Sequence, residues 1–573
     1  MLALGVLLTS GATEQTTLLP SSQPGELTLA APIERWDEAL PLGNGLIGAL
    51  LWGDGARLNL SLDRGDLWDL RRPDIFNQPN WNYATMQRLK ADGNQAEMNR
   101  LFDEPYERLA YPTKLPAGRV EISLPTRFSA ETFTLDLARA EGRVRFTNGT
   151  MLTALVAAES PVVLVVVPSV QASVVISAPT AVSALGYDAA TPIDEEGFTG
   201  YIQQGVLGLQ YGVLARSERR GTDTVLAMTV FSSTDGRAPL PSAKATLRAA
   251  LASGYQRAVE DHTKWWRQFW STSSVTIPDD RLQRHYNLVK YFYGAASRSN
   301  TPPMPLQGVW TADNGTLPPW KGDYHNDLNT QASYIAYQTA GLFDEGEGFL
   351  SFMSDLLPTF RTFATSFYSV GGAVVPGVMT LTGEATAGWG QYALSPTNGA
   401  WVSHLFARHW RYTQDTNFLE AKAYPFCLAV ATALEELLRP GADGLLRLPL
   451  STSPEIFDNS MRAWLPPMSN YDLALVRSAF TDMVELEQAR NQPAAARRWT
   501  SLLTKLPKDI IDPSTNSLMF ARGLAFDQSH RHFSHSMAVH PLGQYDVSRD
   551  DDARVINGTI DTIARAGTSQ WVG

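Results

Sequence analysis

The sequence predicts a two-part protein, an antiparallel β-sandwich followed by a helical domain. Its 573 residues exceed what one ordinary hydrophobic core accommodates, so at least two domains are expected. From about Leu27 to Leu240, apolar residues tend to alternate with polar ones, which is the pattern of strands with one buried face. After about Pro241 the apolar spacing changes to that of helices. Together these observations predict a β domain first and a helical domain second.

The strand pattern is clearest in the middle of the first half. Val120, Ile122 and Leu124 alternate with polar neighbours. Asn148-Gly149 separates two strand-like segments and predicts a tight hairpin. The run over 162–167 is continuously apolar and mostly β-branched, which is typical of a strand buried on both faces. We therefore predict a large antiparallel sandwich over residues 25–240.

Helical spacing dominates the second half. Residues 243–271 are predicted to be helical, and their aromatic cluster is interpreted as packing between the two halves. The members of this cluster are Trp265, Trp266, Phe269 and Trp270. Further helical faces are expected at Leu282, Tyr286, Val289 and Tyr293, at Phe352, Leu356, Phe360, Phe363 and Phe367, and at Leu473, Val476, Phe480 and Met483. The predicted division is a helical linker over 241–277 and a helical domain over 278–573.

Composition and charge exclude several classes of protein. Lys and Arg total 47 against 58 Asp and Glu, a net charge of −11, and the basic residues are scattered, so no nucleic-acid surface is predicted. No apolar run reaches the roughly 18 residues that span a bilayer, so membrane insertion is not predicted. The single cysteine, Cys427, excludes an intramolecular disulfide and a multi-cysteine zinc site.

The first residues have the character of an export signal. Residues 1–24 begin with the apolar segment MLALGVLL, followed by small residues, and resemble the end of a secretory signal that lacks its basic start. A periplasmic or extracellular location is therefore expected.

Four segments of the helical half concentrate aromatic and polar residues. They are residues 307–329, 399–401, 451–455 and 530–535. Aromatic faces stack on sugar rings, Asn and His bind hydroxyls, and a protonated carboxyl can donate to a leaving oxygen, so this set points to glycoside cleavage. His530, His532 and His535 are dense enough to suggest a metal, but Arg531 among them disfavours a cation, so we predict neither metal nor cofactor.

Two positions in these segments are candidates for catalysis. Glu455 follows Pro454 in a Ser/Thr-rich turn, where partial burial would raise its pKa and suit it as an acid; an ordinary solvated glutamate is the alternative. Asp327 and Asn329 are two residues apart, so in an extended loop both would point the same way and could hold one water. Turn or cap chemistry is the alternative for this pair.

Taken in order, the segments resemble glycoside hydrolase family 95, inverting enzymes that act on α-L-fucosides and, in some members, α-L-galactosides. WDEALPLGNGLIG (36–48) and Asp66-Leu67-Trp68 resemble the family's opening signature, and LQGVW, DYHNDLN, GAW, Ser-Pro-Glu and HRHFSH follow in the family's order. The resemblance runs from about residue 30 to the end. It implies an N-terminal β-sandwich, a helical linker and an (α/α)6 barrel whose loops form the sugar pocket.

The resemblance also implies roles for individual residues. Glu455 matches the general acid, and the family's His-x-Asn-x-Asn pair, which positions the attacking water, falls on Asp327 and Asn329. An aspartate thus replaces the first asparagine. The positions that match residues around the sugar are His325, Trp401, Arg531 and His532.

A second departure from the family concerns the catalytic base. The family's base is an Asp in a later motif, and nothing before Gly573 matches that motif. The stretch from Leu282 to the last residue is also short for twelve helices and their loops. An incomplete barrel is therefore expected.

The predicted function is an inverting exo-glycosidase that releases a terminal α-L-fucose-like sugar from a fucosylated or related glycan. A non-catalytic carbohydrate-binding protein, an α-L-galactosidase and an inverting phosphorylase on the same barrel remain alternatives. Asp327 either accepts the water's proton itself or shifts preference away from a plain fucoside. The sequence leaves the oligomeric state open.

Overall fold

The computed structural model describes residues 24–167, 172–236 and 238–567, and the predicted signal segment lies, apart from Pro24, outside them. The first half is built from antiparallel strands, as predicted. In chain order these are β1 (Glu26–Ala30), β2 (Leu40–Gly43), β3 (Ile47–Gly53), β4 (Arg57–Arg64), β5 (Trp68–Asp69), β6 (Thr113–Lys114), β7 (Gly118–Ser123), β8 (Ala130–Asp136), β9 (Glu141–Phe146), β10 (Met151–Val156), β11 (Val163–Val167), β12 (Ser173–Ser177), β13 (Thr191–Glu195), β14 (Phe198–Gln204), β15 (Gln210–Arg220) and β16 (Asp223–Ser232).

Two sheets form the sandwich. The larger has the strand order β1-β8-β9-β10-β11-β16-β15-β14-β13, and the smaller has the order β12-β7-β4-β3-β2. The hairpin predicted at Asn148-Gly149 joins β9 to β10, with Met151 opposite Arg145. The apolar run forms β11, an interior strand between β10 and β16, so both predictions are confirmed.

Helices dominate the second half, and three short helices also interrupt the sandwich. The helices are α1 (Tyr83–Ala91), α2 (Gln95–Phe102), α3 (Glu104–Arg108), α4 (Pro239–Ser253), α5 (Tyr255–Ser271), α6 (Asp280–Ala296), α7 (Asn329–Tyr334), α8 (Phe343–Asp355), α9 (Leu357–Phe363), α10 (Gly390–Ala393), α11 (Asn398–Thr413), α12 (Thr416–Phe418), α13 (Tyr424–Leu437), α14 (Asn470–Ala489), α15 (Pro493–Leu503) and α16 (Asp550–Ala566). Short strand pairs lie between them, β17 (Tyr324–His325) with β18 (Val378–Met379) and β19 (Arg439–Pro440) with β20 (Leu446–Arg447). Among the described residues, no helix combines the length and apolarity needed to cross a membrane.

Two of the helical predictions need correction. The predicted face of α6 is wrong, since Leu282 and Val289 are 52% and 48% exposed. The helix instead buries Asn287 and Lys290, whose side chains donate to backbone carbonyls, that of Lys290 to Ser273 O at 2.5 Å. The single helix expected over residues 352–367 is divided at Leu356 into α8 and α9. The apolar face predicted for α14 is buried and is confirmed.

The aromatic cluster of α5 packs between the two halves, as predicted. Trp266 is fully buried and stacks on Tyr291 of α6 at 5.2 Å between ring centroids. The indole N–H of Trp270 donates to the backbone oxygen of Leu137 in the sandwich at 2.9 Å. These contacts join the linker helix to both halves.

The opening signature also serves the contact between the halves. A Cβ at Gly48 would lie 2.0 Å from the backbone oxygen of Val309, so only glycine allows this close approach. The indole N–H of Trp310 donates to the backbone of β2 at 2.9 Å. Trp68 stacks on Tyr324, directly beside the candidate site. The signature thus positions the loops of the helical domain against the sandwich.

Helices α1 to α3 form an insertion between β5 and β6, and this insertion contacts those loops. The backbone N–H of Gly388 donates to Phe102 O at 3.0 Å. The backbone N–H of Gly390 donates to Asp103 Oδ1 at 2.7 Å. Residues of the first half therefore support a loop at the edge of the candidate site.

Candidate active site

The DYHNDLN motif enters the site through an unusual turn. Trp320, Lys321 and Gly322 have φ values of +47°, +58° and +59°, and the left-handed region costs a non-glycine residue about 1–2 kcal/mol. After this turn His325 is held in β17, which pairs with β18. Strained backbone of this kind gathers at functional sites because the surrounding structure must hold it in place.

His325 lies between two carboxylates. Its Nδ1–H donates to Oδ1 of Asp323 at 3.1 Å, and its Nε2 lies 3.6 Å from Oδ1 of Asp327. Burial lowers the pKa of His325, but the charges of Asp327, Asp323 and Glu455 outweigh this and raise it to about 9. At neutral pH the ring is therefore an imidazolium.

Asp327 and Asn329 occupy different environments. Asp327 is 2% exposed, and its Oδ1 has no hydrogen-bond partner among the described residues. Asn329 is exposed and begins helix α7. The prediction that both side chains point the same way assumed an extended loop. That assumption is wrong, because the chain enters a helix directly after Leu328.

Glu455 lies on a second strained loop and is an ion-paired carboxylate. Glu455, Phe457 and Asp458 all have positive φ, from +51° to +60°. The Arg531 Nε–H donates to Oε2 of Glu455, and His532 Nε2 lies 2.9 Å from the same oxygen. Burial raises the pKa of Glu455, but hydrogen bonds from His532 and Arg531 outweigh it and lower the pKa to about 2. The prediction of a raised pKa is wrong for this arrangement, because Arg531 and His532, which belong to a distant segment, both hydrogen-bond to the carboxylate.

The remaining histidines of HRHFSH have separate environments. The backbone N–H of His532 donates to Nδ1 of His530, which leaves the His530 Nε2–H to face the backbone oxygen of Glu455 at 3.4 Å. His530 thus supports the Glu455 loop, a role that the sequence did not indicate. His535 is buried and stacks on Phe526 at 4.6 Å. Across the described residues, no group of three or more His, Cys, Asp or Glu side chains is placed to hold a metal ion.

Two tryptophans of the helical domain differ in their surroundings. Trp401 is buried on α11, and its indole N–H has no partner among the described residues. Trp389, which the sequence analysis missed, meets the His325 ring edge to face at 5.8 Å. It lies in a loop where Ala387, Gly388 and Trp389 have φ values of +60°, +82° and +48°. The AGWG sequence is the one signal that could have indicated this loop.

Electrostatic influence connects the two loops. Burial raises the pKa of Tyr392, and the charges of Glu455 and Asp327 raise it further. The pKa of Arg531 is raised mainly by its hydrogen bond to Glu455, and the charge of Asp327 raises it further. The structure therefore brings His325, Asp327, Glu455, Arg531 and His532 into one site, whereas Asn329 lies at the exposed start of α7.

This arrangement agrees with the family comparisons. The glycosyl hydrolase family 95 catalytic domain matches residues 255–571, more than half of the chain. The chain belongs to glycoside hydrolase family 95. A second match, to the glycosyl hydrolase family 65 N-terminal domain, covers residues 27–247 and corresponds to the sandwich.

Curated relatives of this family 95 chain are fucosidases by name. Alpha-L-fucosidase 2 of Arabidopsis thaliana is 22% identical over an alignment of 637 positions, gaps included, which covers 94% of this chain and 74% of that protein. Probable alpha-fucosidase A of Aspergillus niger is 27% identical over an alignment of 251 positions, which covers 38% of this chain and 31% of that protein. Membership of family 95 makes the protein a glycoside hydrolase.

A solved structure shares the fold. A protein described as a kojibiose phosphorylase from the human microbiome superposes with a TM-score of 0.58 at 12% identity, covering 91% of this chain and 74% of that one. The sandwich followed by an (α/α)6-type helical domain is therefore the architecture of this chain.

Proposed function

We propose that this family 95 protein is an inverting exo-glycosidase that releases a terminal α-L-fucose-like sugar from a glycan. The observation that carries the proposal is a pair of carboxylates on separate loops of one site, Glu455 in contact with Arg531 and His532, and Asp327 beside the His325 imidazolium. Inverting hydrolysis needs two carboxyl groups, an acid for the leaving oxygen and a base for the attacking water. The fucosidase names of the relatives favour fucose as the sugar.

In this proposal Glu455 becomes the acid only when substrate is bound. With a pKa of about 2, it is a carboxylate in the free site. The Arg531 side chain is 55% exposed, so a sugar hydroxyl can compete for its donors. Losing this hydrogen bond and excluding water both raise the pKa of Glu455. We infer that sugar binding, by drawing Arg531 away, allows Glu455 to hold the proton that the leaving oxygen needs.

Asp327 is proposed to bind the attacking water and accept its proton. Its buried Oδ1 has a lone pair that no described side chain uses, which suits it to accept a hydrogen bond from water. The His325 ring lies 3.6 Å from the same oxygen and places a positive charge beside this buried carboxylate. Asn329 remains proposed as a second contact for this water from the family resemblance alone, since it lies at the exposed start of α7.

The leaving group is proposed to lie against the other side of the Glu455 loop. A cavity of about 270 Å³ opens there, and its lining includes Glu455, Phe457, Asp458, Asp527 and Gln528. An aromatic edge with carboxylate and amide acceptors suits a hydroxylated group such as a sugar. His325, Trp401, Arg531 and His532 remain the proposed contacts of the fucose-like sugar.

The test compares two leaving groups in Glu455→Gln. We expect the variant to lose about 100-fold or more of its kcat on a fucosylated oligosaccharide, but far less on an aryl fucoside whose leaving group needs no proton. Glu420→Gln, which removes a surface ion pair with Arg490, is the matched control and should leave both rates unchanged. Equal losses on both substrates would contradict the acid role.

The same assay separates the alternatives. Undiminished turnover in Asp327→Asn would remove Asp327 as the base. Faster cleavage of an α-L-galactoside than of an α-L-fucoside would identify the alternative sugar, and stimulation by phosphate would indicate a phosphorylase. Glycan binding in calorimetry without turnover, unaffected by Glu455→Gln, would support a non-catalytic carbohydrate-binding protein. Export from the cytoplasm remains a proposal that rests on residues 1–24.

A further inference from the structure

We infer that Asp323 and Tyr106 form a positioning pair, in which a residue from the sandwich side of the chain orients His325 against Asp327. This inference rests on the proposed function, because it concerns the water side of the same site. Neither residue is among the predicted catalytic or sugar-binding residues, although Asp323 is the first residue of the DYHNDLN motif. Both are placed there by contacts between segments that are distant in sequence.

Tyr106 reaches the site from α3, within the insertion that interrupts the sandwich. Its hydroxyl donates to Oδ2 of Asp323 at 3.3 Å. The Lys321 ammonium lies 4.9 Å from its ring centroid, and the Trp389 ring packs against it at 5.1 Å. A Cβ at Gly388 would lie 2.8 Å from Cγ of Tyr106, so the loop closes on the ring only because this residue is glycine. The ring is therefore held in one position.

Asp323 uses its two carboxylate oxygens for different partners. The side chain is fully buried, and Oδ1 accepts from His325 while Oδ2 accepts from Tyr106. A buried carboxylate is costly unless it is paired and hydrogen-bonded, and these two donors offset part of that cost. Burial outweighs them and holds the pKa of Asp323 above its ordinary value. Because the oxygens have different partners, loss of the Tyr106 hydroxyl would leave Asp323 free to rotate away from His325.

The Asp323–Tyr106 pair determines which ring nitrogen of His325 points toward Asp327. With its Nδ1–H donated to Asp323, the ring can present only Nε2 to Asp327, at 3.6 Å. The charged groups that act on the ring are Asp323, Asp327 and, more weakly, Glu455; Trp389 contributes an uncharged ring edge. The Lys321 ammonium lies over the Tyr106 ring, and the charge of Asp323 acts on it as well.

The chemical consequence concerns the aspartate that replaces the family's asparagine. An amide at position 327 would need no counter-charge, whereas a buried carboxylate does. The imidazolium held by Asp323 supplies that charge. When Asp327 accepts a proton from the attacking water, the carboxylate becomes a neutral carboxyl and the water oxygen bonds to the anomeric carbon. The glycosidic C–O bond breaks in the same step, and the leaving oxygen takes the proton held by Glu455. The imidazolium keeps its own proton throughout.

The first experiment follows His325 directly, without using activity. In protein with ¹³C-labelled histidine, the ring signal that disappears in His325→Asn is assigned to His325 and titrated. We expect it to titrate near pH 9 in the wild type, lower by one pH unit or more in Asp323→Asn, and by less in Tyr106→Phe. Tyr187→Phe is the matched control, because Tyr187 donates to the carboxylate of Asp69 in the sandwich at 3.0 Å.

The second experiment measures kcat/KM on a fucoside as a function of pH. Asp323→Asn should lower kcat/KM at least about 100-fold and move the alkaline limb to lower pH, and Tyr106→Phe should lower it about tenfold. Tyr187→Phe should change neither. Asp323→Glu should restore part of the loss, whereas a purely structural role predicts no shift of the alkaline limb.

The outcomes separate this inference from the proposed function. If the wild type cleaves fucosides but His325 titrates alike in wild type, Asp323→Asn and Tyr106→Phe, the positioning pair is wrong and the proposed function stands. If the wild type cleaves no fucoside, the proposed function fails while the titration still tests the pair. Should Asp323→Asn fail to fold, Tyr106→Phe decides, because it removes one hydroxyl and leaves both carboxylates in place.

Discussion

A buried ion pair lies beneath the turn that leads to Asp323, and breaking it is the most quantitative test of how the sandwich supports the site. Lys114 of β6 and Asp63 of β4 are 0% and 2% exposed, and the ammonium contacts Oδ2 of Asp63. The same ammonium donates to the backbone oxygen of Arg64 at 3.2 Å. A Cβ at Gly322 would lie 3.0 Å from that of Lys114, so the turn rests directly on this side chain.

Lys114→Met keeps most of the packing volume but leaves Asp63 without its cation. Removing one partner of a buried ion pair costs about 3–5 kcal/mol of unfolding free energy. Burial raises the pKa of Asp63 to about 6, against its ordinary value of 3.8, although Lys114 lowers it. Protonation of Asp63 therefore stabilises the folded state at low pH, and this contribution is lost as the pH rises through about 6. Loss of Lys114 raises this pKa further, so the variant's deficit should be smaller at pH 5 than at pH 8.

Urea unfolding of wild type and Lys114→Met at pH 5, 7 and 8 measures this deficit. Lys422→Met, which removes a half-exposed pair with Glu347, is the control and should cost at most about 1 kcal/mol. The double variant Lys114→Met/Asp63→Leu should recover much of the loss, since no buried charge remains. A deficit below about 1 kcal/mol at pH 8, or one that is the same at every pH, would refute the reasoning.

Two further predictions concern the loops of the site. Arg531→Gln should raise the pKa of Glu455 from about 2, because one of its two hydrogen-bonding partners and the guanidinium charge are lost; ¹³C titration of the carboxyl measures this, and an unchanged pKa would contradict the ion pair. Gly388→Ala should destabilise the protein by about 1–3 kcal/mol more than Gly444→Ala. Both glycines have positive φ, but only a Cβ at Gly388 meets Tyr106, so equal losses in a denaturant series would show that the loop does not close on that ring.

Much of the fold followed from local patterns. A period of two reports a half-buried strand, and the Asn148-Gly149 turn has its own backbone preference, so β9 and β10 could be predicted without knowledge of their neighbours. The face of α6 could not, because its buried side relies on Asn287 and Lys290. Those residues become suitable for burial only once backbone carbonyls of other segments reach them. The expectations of an incomplete barrel and of the residue limits of each domain remain predictions.

The site shows the same division. Motif order led to Glu455, because the Ser-Pro-Glu segment is local, but the direction of its pKa shift depends on two side chains of a segment more than 70 residues away. Asp327 could be selected from its spacing to Asn329. Asp323 and Tyr106 become partners only because the α1–α3 insertion of the sandwich contacts the loop that contains Asp323. Trp389 was missed because its position depends on three consecutive left-handed residues.

Glu455 and Asp327 are proposed to cleave an α-L-fucoside by a single displacement, with the attacking water held between them. The direct measurement is ¹H NMR of the sugar first released from an α-L-fucoside, recorded before the anomers equilibrate. Inversion predicts that β-L-fucose appears first and α-L-fucose grows in later by mutarotation. First appearance of α-L-fucose would mean a covalent glycosyl-enzyme intermediate and would contradict the assignment of Asp327 to the water side.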